Sequence, residues 1–158
     1  MKNKCCIFIL LLPLFLTGCW DLVEIENRNY VINLGIDNDA GEYTVTYGLA
    51  WSDDEEHTGS LKTVKGVNLA YLLENTDISS EKQTFLGHAK TLILGENILK
   101  DEILFEKVIN TLKNNDEISS KILIMECQGK GSDAVKAINE EKQMYIWNFY
   151  RTNAEDKV

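Results

Sequence analysis

The chain has 158 residues, of which 25 are acidic and 16 are basic, so its formal net charge is −9. This balance argues against a nucleic-acid-binding protein, because phosphate groups need a basic surface. The length is sufficient for one domain with a real hydrophobic core, even after loss of a short N-terminal segment.

The beginning of the chain has the pattern of a signal peptide. Lys2 and Lys4 precede an apolar run at residues 5–16. A run of about 12 residues is too short for a membrane-spanning helix, which needs about 20. A charged start, a short apolar core and small residues after it are typical of an export signal.

The end of this signal is more specific, because Leu16-Thr17-Gly18-Cys19 matches a lipobox. Cleavage is predicted between Gly18 and Cys19, so residues 1–18 form the signal peptide. The Cys19 sulfur then carries diacylglycerol, whose acyl chains (palmitate among them) hold the protein on the outer face of a membrane. The alternatives are an ordinary signal peptide with a coincidental cysteine and an uncleaved anchor.

Processing at this site changes the charge and the thiol content. Loss of Lys2 and Lys4 leaves 14 basic against 25 acidic residues, a net charge of −11. Cys5 and Cys6 leave with the signal peptide, and only Cys127 keeps a free thiol, so no disulfide can form within one mature chain. Cys127 is expected to be a small core residue rather than a nucleophile.

The mature chain begins with a lipidated junction, residues 19–29, and a strand pattern follows it. Residues 30–37 and 43–51 alternate in polarity around the turn-forming segment 38–41. This pattern is typical of an antiparallel β-hairpin with one buried face. Tyr30, Ile32, Leu34 and Ile36 are expected to share one face, with Val31 on the other.

The remaining sequence predicts alternating helices and strands after a polar loop at residues 52–65. Helices are expected around residues 67–73, 101–112 and 131–138, and strands at 91–94 and 121–127. Asp101 is predicted to cap the second helix, and the segment Gly131-Ser132-Asp133 to cap the third. The order predicts an α+β fold in which a mixed sheet starts with the hairpin and carries helices packed on it. One domain is assigned to residues 30–143.

No catalytic or cofactor motif is found in the sequence. Segment 37–41 begins like a calcium loop, but its twelfth position is Gly48, where a glutamate is required. His57 and His88 are the only histidines, and no cysteine pair supports a zinc site. His88 is expected to bind neighbouring backbone rather than to act as a base. A non-catalytic role is therefore favoured, with no metal and no cofactor besides the lipid on Cys19.

The residues around the junction resemble the start of a known family. Gly18-Cys19-Trp20-Asp21, Glu24-Ile25, Arg28, Val31 and Leu34-Gly35-Ile36-Asp37 are similar to the Ger(x)C family, the C-subunit lipoproteins of spore germinant receptors. The similarity continues more loosely through segments 85–88 and 91–95. The resemblance implies a lipoprotein on the outer face of the spore inner membrane that acts with two integral-membrane receptor subunits. It would serve receptor assembly and germination signalling in response to small nutrients.

Lipid attachment at Cys19 is the one definite role that the resemblance carries over. Trp20, Asp21, Glu24 and Arg28 match the family block, and we hypothesise that they orient the domain at the membrane or against a partner subunit. The alternative is that they pack locally, with Arg28 paired to a nearby carboxylate.

The resemblance also implies a longer chain, since family members contain further α+β domains. Residues 144–158 are therefore expected to be an aromatic and polar tail that begins an incomplete next element. The 158-residue chain would be either a natural short form or a fragment. Two other functions stay open: a surface lipoprotein that binds a small molecule in an apolar pocket, and a lipid-anchored envelope hydrolase with a catalytic cluster.

Overall fold

The computed structural model describes residues 28–50, 60–75 and 83–140. Within these ranges the elements follow in the order β1 (Arg28–Asp39), β2 (Glu42–Leu49), β3 (Leu61–Gly66), α1 (Leu69–Glu74), β4 (Gln83–Phe85), β5 (Thr91–Leu94), α2 (Glu96–Leu99), α3 (Glu102–Lys113), β6 (Leu123–Glu126) and α4 (Gly131–Glu140). The predicted α+β fold is confirmed. The predicted signal peptide and the tail at residues 144–158 lie outside the described residues, as does most of the junction.

The sheet is mixed and is organised around β1. The strand order is β3-β2-β1-β5-β6, and the short strand β4 also pairs with β1. β2 and β3 are antiparallel to their neighbours, whereas β4 and β5 run parallel to β1, and β6 runs parallel to β5. The four parallel strands therefore begin at the same end of the sheet. We call this the Arg28 end, and the opposite one the Asp37 end.

The hairpin between β1 and β2 closes as the sequence predicts. Asp39 pairs with Glu42, so only Ala40 and Gly41 form the loop. Both have positive φ angles, 52° and 91°, as a two-residue turn of type I′ requires. The Gly41 N–H donates to Asn38 Oδ1 at 3.1 Å, which fixes the turn and with it the register.

The hairpin buries both faces, so the prediction of a single buried face is wrong. One face forms the main core with α1, α2 and α3; its fully buried residues include Leu34, Ile36, Val45, Tyr47, Leu73, Leu92, Ile98 and Val108. α4 covers the opposite face through Val135 and Ile138, which pack on Ile93. The sequence of the hairpin alone does not reveal a helix that arrives about 90 residues later.

A β-bulge also changes which side chains of β1 share a face. The register against β2 shifts between Val31 and Asn33, and a bulge places one extra residue opposite the partner strand. Val31 is fully buried in the main core together with Leu34 and Ile36, whereas Ile32 is only partly buried. The predicted alternation therefore holds from Asn33 onward and is wrong for Val31.

The predicted loop at residues 52–65 is wrong where the structure describes it. Residues 61–66 form β3, which pairs with β2 from Gly48↔Leu61 to Tyr43↔Gly66. β3 is an edge strand with two lysines, a composition that sequence patterns confuse with a loop. β4 and α2 were not predicted either, because three- and four-residue elements leave little periodicity.

Candidate functional site

Arg28 is the one member of the predicted site that lies within the described residues. Gly18, Cys19, Trp20, Asp21 and Glu24 lie outside them. Arg28 is the first residue of β1, so it stands where the predicted junction enters the sheet. Its surroundings are therefore the described surface closest in sequence to the predicted lipid.

Arg28 lies against one of three aromatic rings that pack together. The guanidinium carbon lies 5.1 Å from the ring centroid of Phe85. The Tyr30 ring stacks on the His88 ring at 5.2 Å, and Phe85 meets both Tyr30 and His88 edge-on at 5.9 and 5.4 Å. We call Arg28, Tyr30, Phe85 and His88 the Arg28 cluster.

The parallel pairing of β1 with β4 assembles this cluster. The register places Tyr30 directly beside Phe85 and Arg28 beside Gln83. The chain then turns: Leu86 is buried in the main core, and the Ala89 N–H donates to the Leu86 carbonyl at 2.9 Å.

Glycine is needed at position 87 inside this turn. A Cβ atom there would lie 2.7 Å from Phe85 Cζ, so any side chain would displace the Phe85 ring. Each residue of the segment Phe85-Leu86-Gly87-His88 thus takes part in local packing: Leu86 in the main core, and the other three residues around the Phe85 ring. It brings the exposed His88 back against the rings of the cluster.

The electrostatic state of Arg28 is the unusual feature of this cluster. Its Nε atom is buried and has no hydrogen-bond partner. The ion pairs of the described residues join Lys100 to Glu96 and Lys130 to Asp39, so no described carboxylate pairs with Arg28. Arg28 therefore has a partly buried guanidinium that lies against the Phe85 ring and forms no ion pair with a described carboxylate.

The Asp37 end of the sheet has a structural role instead. The Asp37 side chain is buried, and its two oxygens accept hydrogen bonds from the backbone N–H groups of Gly131 at 2.6 Å and Ser132 at 2.9 Å. Asp37 therefore caps the N-terminus of α4, where a negative charge is favoured. The prediction that residues 131–133 cap this helix by themselves is wrong, because the carboxylate comes from β1.

Close packing around Asp37 leaves room only for glycine at two positions. A Cβ atom on Gly95 would overlap Asp37 Oδ1, and one on Gly131 would lie 2.7 Å from the Ile93 carbonyl oxygen. The family-like segment 34–37 and Gly95 thus meet at one helix cap. Both carboxylate oxygens of Asp37 accept hydrogen bonds from backbone N–H groups. Asp37, the first residue of the calcium-like segment 37–41, therefore caps a helix.

Other reactive side chains do not form a catalytic arrangement in the described part. No group of three His, Cys, Asp or Glu residues there could hold a metal ion. The His88 ring packs on Tyr30 and Phe85, and not on a buried carboxylate. Cys127 is partly buried against the cluster of Ile93 and Val135, and burial raises the pKa of its thiol. The prediction of a buried core cysteine therefore holds only in part, because Cys127 lies at the margin of this cluster and keeps intermediate exposure.

The described residues line clefts on the helical side of the sheet. One, of about 530 Å³, lies between α1 and α3 and has a mixed lining that includes Glu74, Glu106, Lys107 and Asn110. Another, of about 360 Å³, lies between α3 and β6 and is more apolar, with Leu92, Ile109, Leu112, Ile122 and Ile124. Among the described helices, none is long and apolar enough to cross a membrane.

Comparisons with known proteins give consistent matches. The family described as "Spore germination protein N-terminal domain" matches residues 21–158. Spore germination protein B3 of Bacillus subtilis (strain 168) is 27% identical over 138 residues, which cover 82% of this chain and 36% of that protein. Spore germination protein A3 of the same organism is 24% identical, with 97% of this chain and 42% of that protein covered.

A third relative is the putative spore germination protein YfkR of Bacillus subtilis (strain 168), which is 24% identical over 140 residues, covering 81% of this chain and 36% of that protein. The chain thus spans well under half the length of the curated relatives that it matches. No solved structure matches it significantly.

Proposed function

The chain belongs to the family of spore germination protein N-terminal domains, and we propose on this premise that it is a lipid-anchored, non-catalytic subunit of a germinant receptor. In this role it is held by diacylglycerol on Cys19 at the outer face of the spore inner membrane. It acts there with two integral-membrane subunits in receptor assembly and in signalling the presence of small nutrients.

The family match over residues 21–158 is the observation that carries this proposal. The names of the relatives describe germination proteins. The described structure is compatible with a role in binding and assembly. Its family-like segments 34–37 and 85–88 serve a helix cap and an aromatic cluster, and neither supplies a nucleophile with a base.

The lipid anchor is tested by mass spectrometry of the chain expressed in a host that processes lipoproteins. The expected product begins at Cys19 and carries the mass of the diacylglycerol. A chain that keeps Met1 and an unmodified Cys19 thiol would contradict the anchor.

The subunit role is tested by co-purification with the integral-membrane receptor subunits. Trp20, Asp21, Glu24 and Arg28 are proposed to orient the domain, so the double variant Glu24→Ala/Arg28→Ala should reduce recovery of the partners. Lys107→Ala is a matched control, because Lys107 also lies over an aromatic ring, that of Tyr43 at 5.8 Å, but on α3. If the wild type, the double variant and Lys107→Ala recover equal amounts of the receptor subunits, Glu24 and Arg28 do not orient the domain.

A further inference from the structure

We propose that the free edge of β6 and the apolar groove beside it form a strand-addition site, at which an extended segment of a partner protein binds. The segment is defined by its chemistry: apolar side chains at alternate positions enter the groove, and a carboxylate meets Lys113. The inference rests on the proposed function and names the surface through which this chain contacts an integral-membrane subunit. We call the following residues the β6 groove: Ile109, Leu112, Lys113, Ile118, Ile122 and Ile124.

The backbone of β6 is paired on one side only within the described sheet, because β6 is the last strand in the strand order. The Cys127 N–H donates to the Leu94 carbonyl at 3.2 Å, and the register continues this pattern back to Leu123. The N–H and C=O groups of Ile124 and Glu126 therefore point away from β5. An open strand edge of this kind is the template that an added strand uses.

The side chains beside this edge are apolar and partly exposed. The register places Ile124 beside Leu92 on the face of the main core, and Ile109 and Leu112 of α3 form the opposite wall of the groove. Ile124 keeps 49% of its surface exposed, although Leu92 is fully buried. A strand edge next to a helix, with an apolar groove between them, is an arrangement that extended peptides bind. The backbone edge offers hydrogen bonds and the groove offers apolar contacts to the same segment.

Hydrogen bonds within the loop between α3 and β6 hold the end of the groove in place. Asn115 Oδ1 accepts the Ile118 N–H at 3.2 Å, and the Ile122 N–H donates to the Ser119 carbonyl at 3.0 Å. Ile118 and Ile122 both line the groove, so their positions are set before any partner arrives. A pre-formed groove lowers the cost of ordering the binding surface.

The charge at the groove indicates which side chain the partner segment carries. Lys113 is the only charged residue among the described residues that line the groove. The ion pairs between described residues join other groups, so Lys113 has none with a described carboxylate. Asp116 and Glu117 follow Lys113 in the loop but do not line the groove. A cation beside apolar side chains therefore favours an acidic side chain on the incoming segment.

Backbone amide hydrogen exchange distinguishes strand addition from a contact made by side chains alone. The full chain, lipidated in a processing host, is measured alone and in complex with the co-purified integral-membrane subunits, at single-residue resolution by mass spectrometry. We expect binding to slow exchange at Ile124 and Glu126 about tenfold or more, because their outward N–H groups gain hydrogen-bond partners. Leu123 and Met125 already pair with β5, so their exchange should change little.

Matched variants test the edge, the groove and the charge separately. Glu126→Pro removes an outward N–H at an edge strand, where proline is found in natural sheets, and Ile124→Asp places a charge in the groove. Each should reduce recovery of the integral-membrane subunits about tenfold. Ile103→Asp is the control, because Ile103 is 81% exposed on α3 and lies outside the groove. Lys113→Glu should also reduce recovery, whereas Lys107→Glu should not, and circular dichroism shows that each variant is folded.

Several outcomes would overturn the proposal. Unchanged exchange at Ile124 and Glu126 in a complex that has formed would mean that no strand is added to β6. Slow exchange at both residues in the chain alone would mean that this chain, or a second copy of it, already covers the edge. Equal recovery with Ile124→Asp and Ile103→Asp would remove the groove contact. If the wild type itself recovers no integral-membrane subunit, the proposed function fails and this inference with it, a result distinct from a loss confined to the edge variants.

Discussion

Asp37 and Gly131 are 94 residues apart in the chain, yet the carboxylate of the first accepts the backbone N–H of the second at 2.6 Å. This contact, with the parallel bond to Ser132, fixes α4 over the hairpin. The helix then packs on Gly35 and Gly48, where an added Cβ would lie 2.9 and 3.1 Å from Val135 methyl groups. Asp37 of the hairpin therefore provides the N-cap of α4, the helix that covers the second face of the sheet.

Replacing Asp37 by alanine should destabilise the domain by about 2 kcal/mol, because two buried bonds to a charged acceptor are lost and two N–H groups are left unpaired. Urea unfolding followed by circular dichroism measures the change. Asp101→Ala is the control, since Asp101 caps α3 through one exposed bond to the Leu104 N–H at 3.0 Å, and its loss should cost about half as much. Equal losses in the two variants would contradict the role assigned to Asp37.

Gly95→Ala should destabilise by roughly 1–3 kcal/mol, because the added methyl group overlaps the Asp37 carboxylate in a packed region. If the overlap is the cause, Gly95→Ala should cost less in an Asp37→Ala background, and a double-mutant cycle measures this coupling. Gly66→Ala is the control, because a Cβ there meets the flexible end of Leu72 at 3.2 Å. If the losses of unfolding free energy in Gly95→Ala and Asp37→Ala simply add in the double variant, the cost of Gly95→Ala does not come from overlap with Asp37.

Tyr47 should make the stability sensitive to alkaline pH. Its hydroxyl is buried and donates to the Leu72 carbonyl at 2.9 Å, and burial raises the pKa of Tyr47 well above its usual value. The unfolded chain ionises near pH 10, so this contribution to stability is complete below about pH 10 and falls as the pH rises above it.

The variant Tyr47→Phe tests this assignment. It should lose about 1 kcal/mol at neutral pH, because the hydrogen bond to the Leu72 carbonyl is lost, and its stability should fall less between about pH 10 and 11. Tyr71→Phe serves as control, since Tyr71 is 52% exposed. Parallel pH profiles for the wild type and Tyr47→Phe would show that the alkaline sensitivity has another source.

The Cys127 thiol should react with iodoacetamide only at a higher pH than an exposed cysteine. Burial raises the pKa of Cys127, and the carboxylates of Asp37 and Asp133 raise it further. Asp133→Asn removes one of these charges at an exposed position and should move the pH midpoint of alkylation downward. The alkylation rate at Cys127 is measured by mass spectrometry of the peptide that contains this residue; a pH midpoint equal to that of a cysteine in a free peptide would contradict the assignment.

The sequence predicts those elements whose signals are local. The hairpin depends on Ala40 and Gly41 between two alternating runs, and the start of α3 depends on Asp101. Such features need no knowledge of distant residues. The edge strand β3 resembles a loop in sequence, because Lys62 and Gly66 share the less exposed positions with Val64 and leave no apolar alternation.

The site could be predicted only in part, because its contacts join distant segments. Arg28 was identified by resemblance, whereas its aromatic neighbours depend on the parallel pairing of β1 with β4. Nothing near Arg28 in the sequence indicates Phe85 or His88. The sequence does not reveal the cap on α4 for the same reason, since Asp37 lies in a strand pattern 94 residues before Gly131.

The central position of β1 has a mechanical consequence. A pull on the residues that precede Arg28 would enter the described domain at the first residue of β1 and act along this strand. β1 is hydrogen-bonded to β2 along one edge and to β4 and β5 along the other. Ladder bonds in antiparallel pairs lie perpendicular to the strands, so the force shears many bonds together and does not open them one after another. Resistance to such a pull would therefore depend on the whole length of β1 and not on its first residues alone.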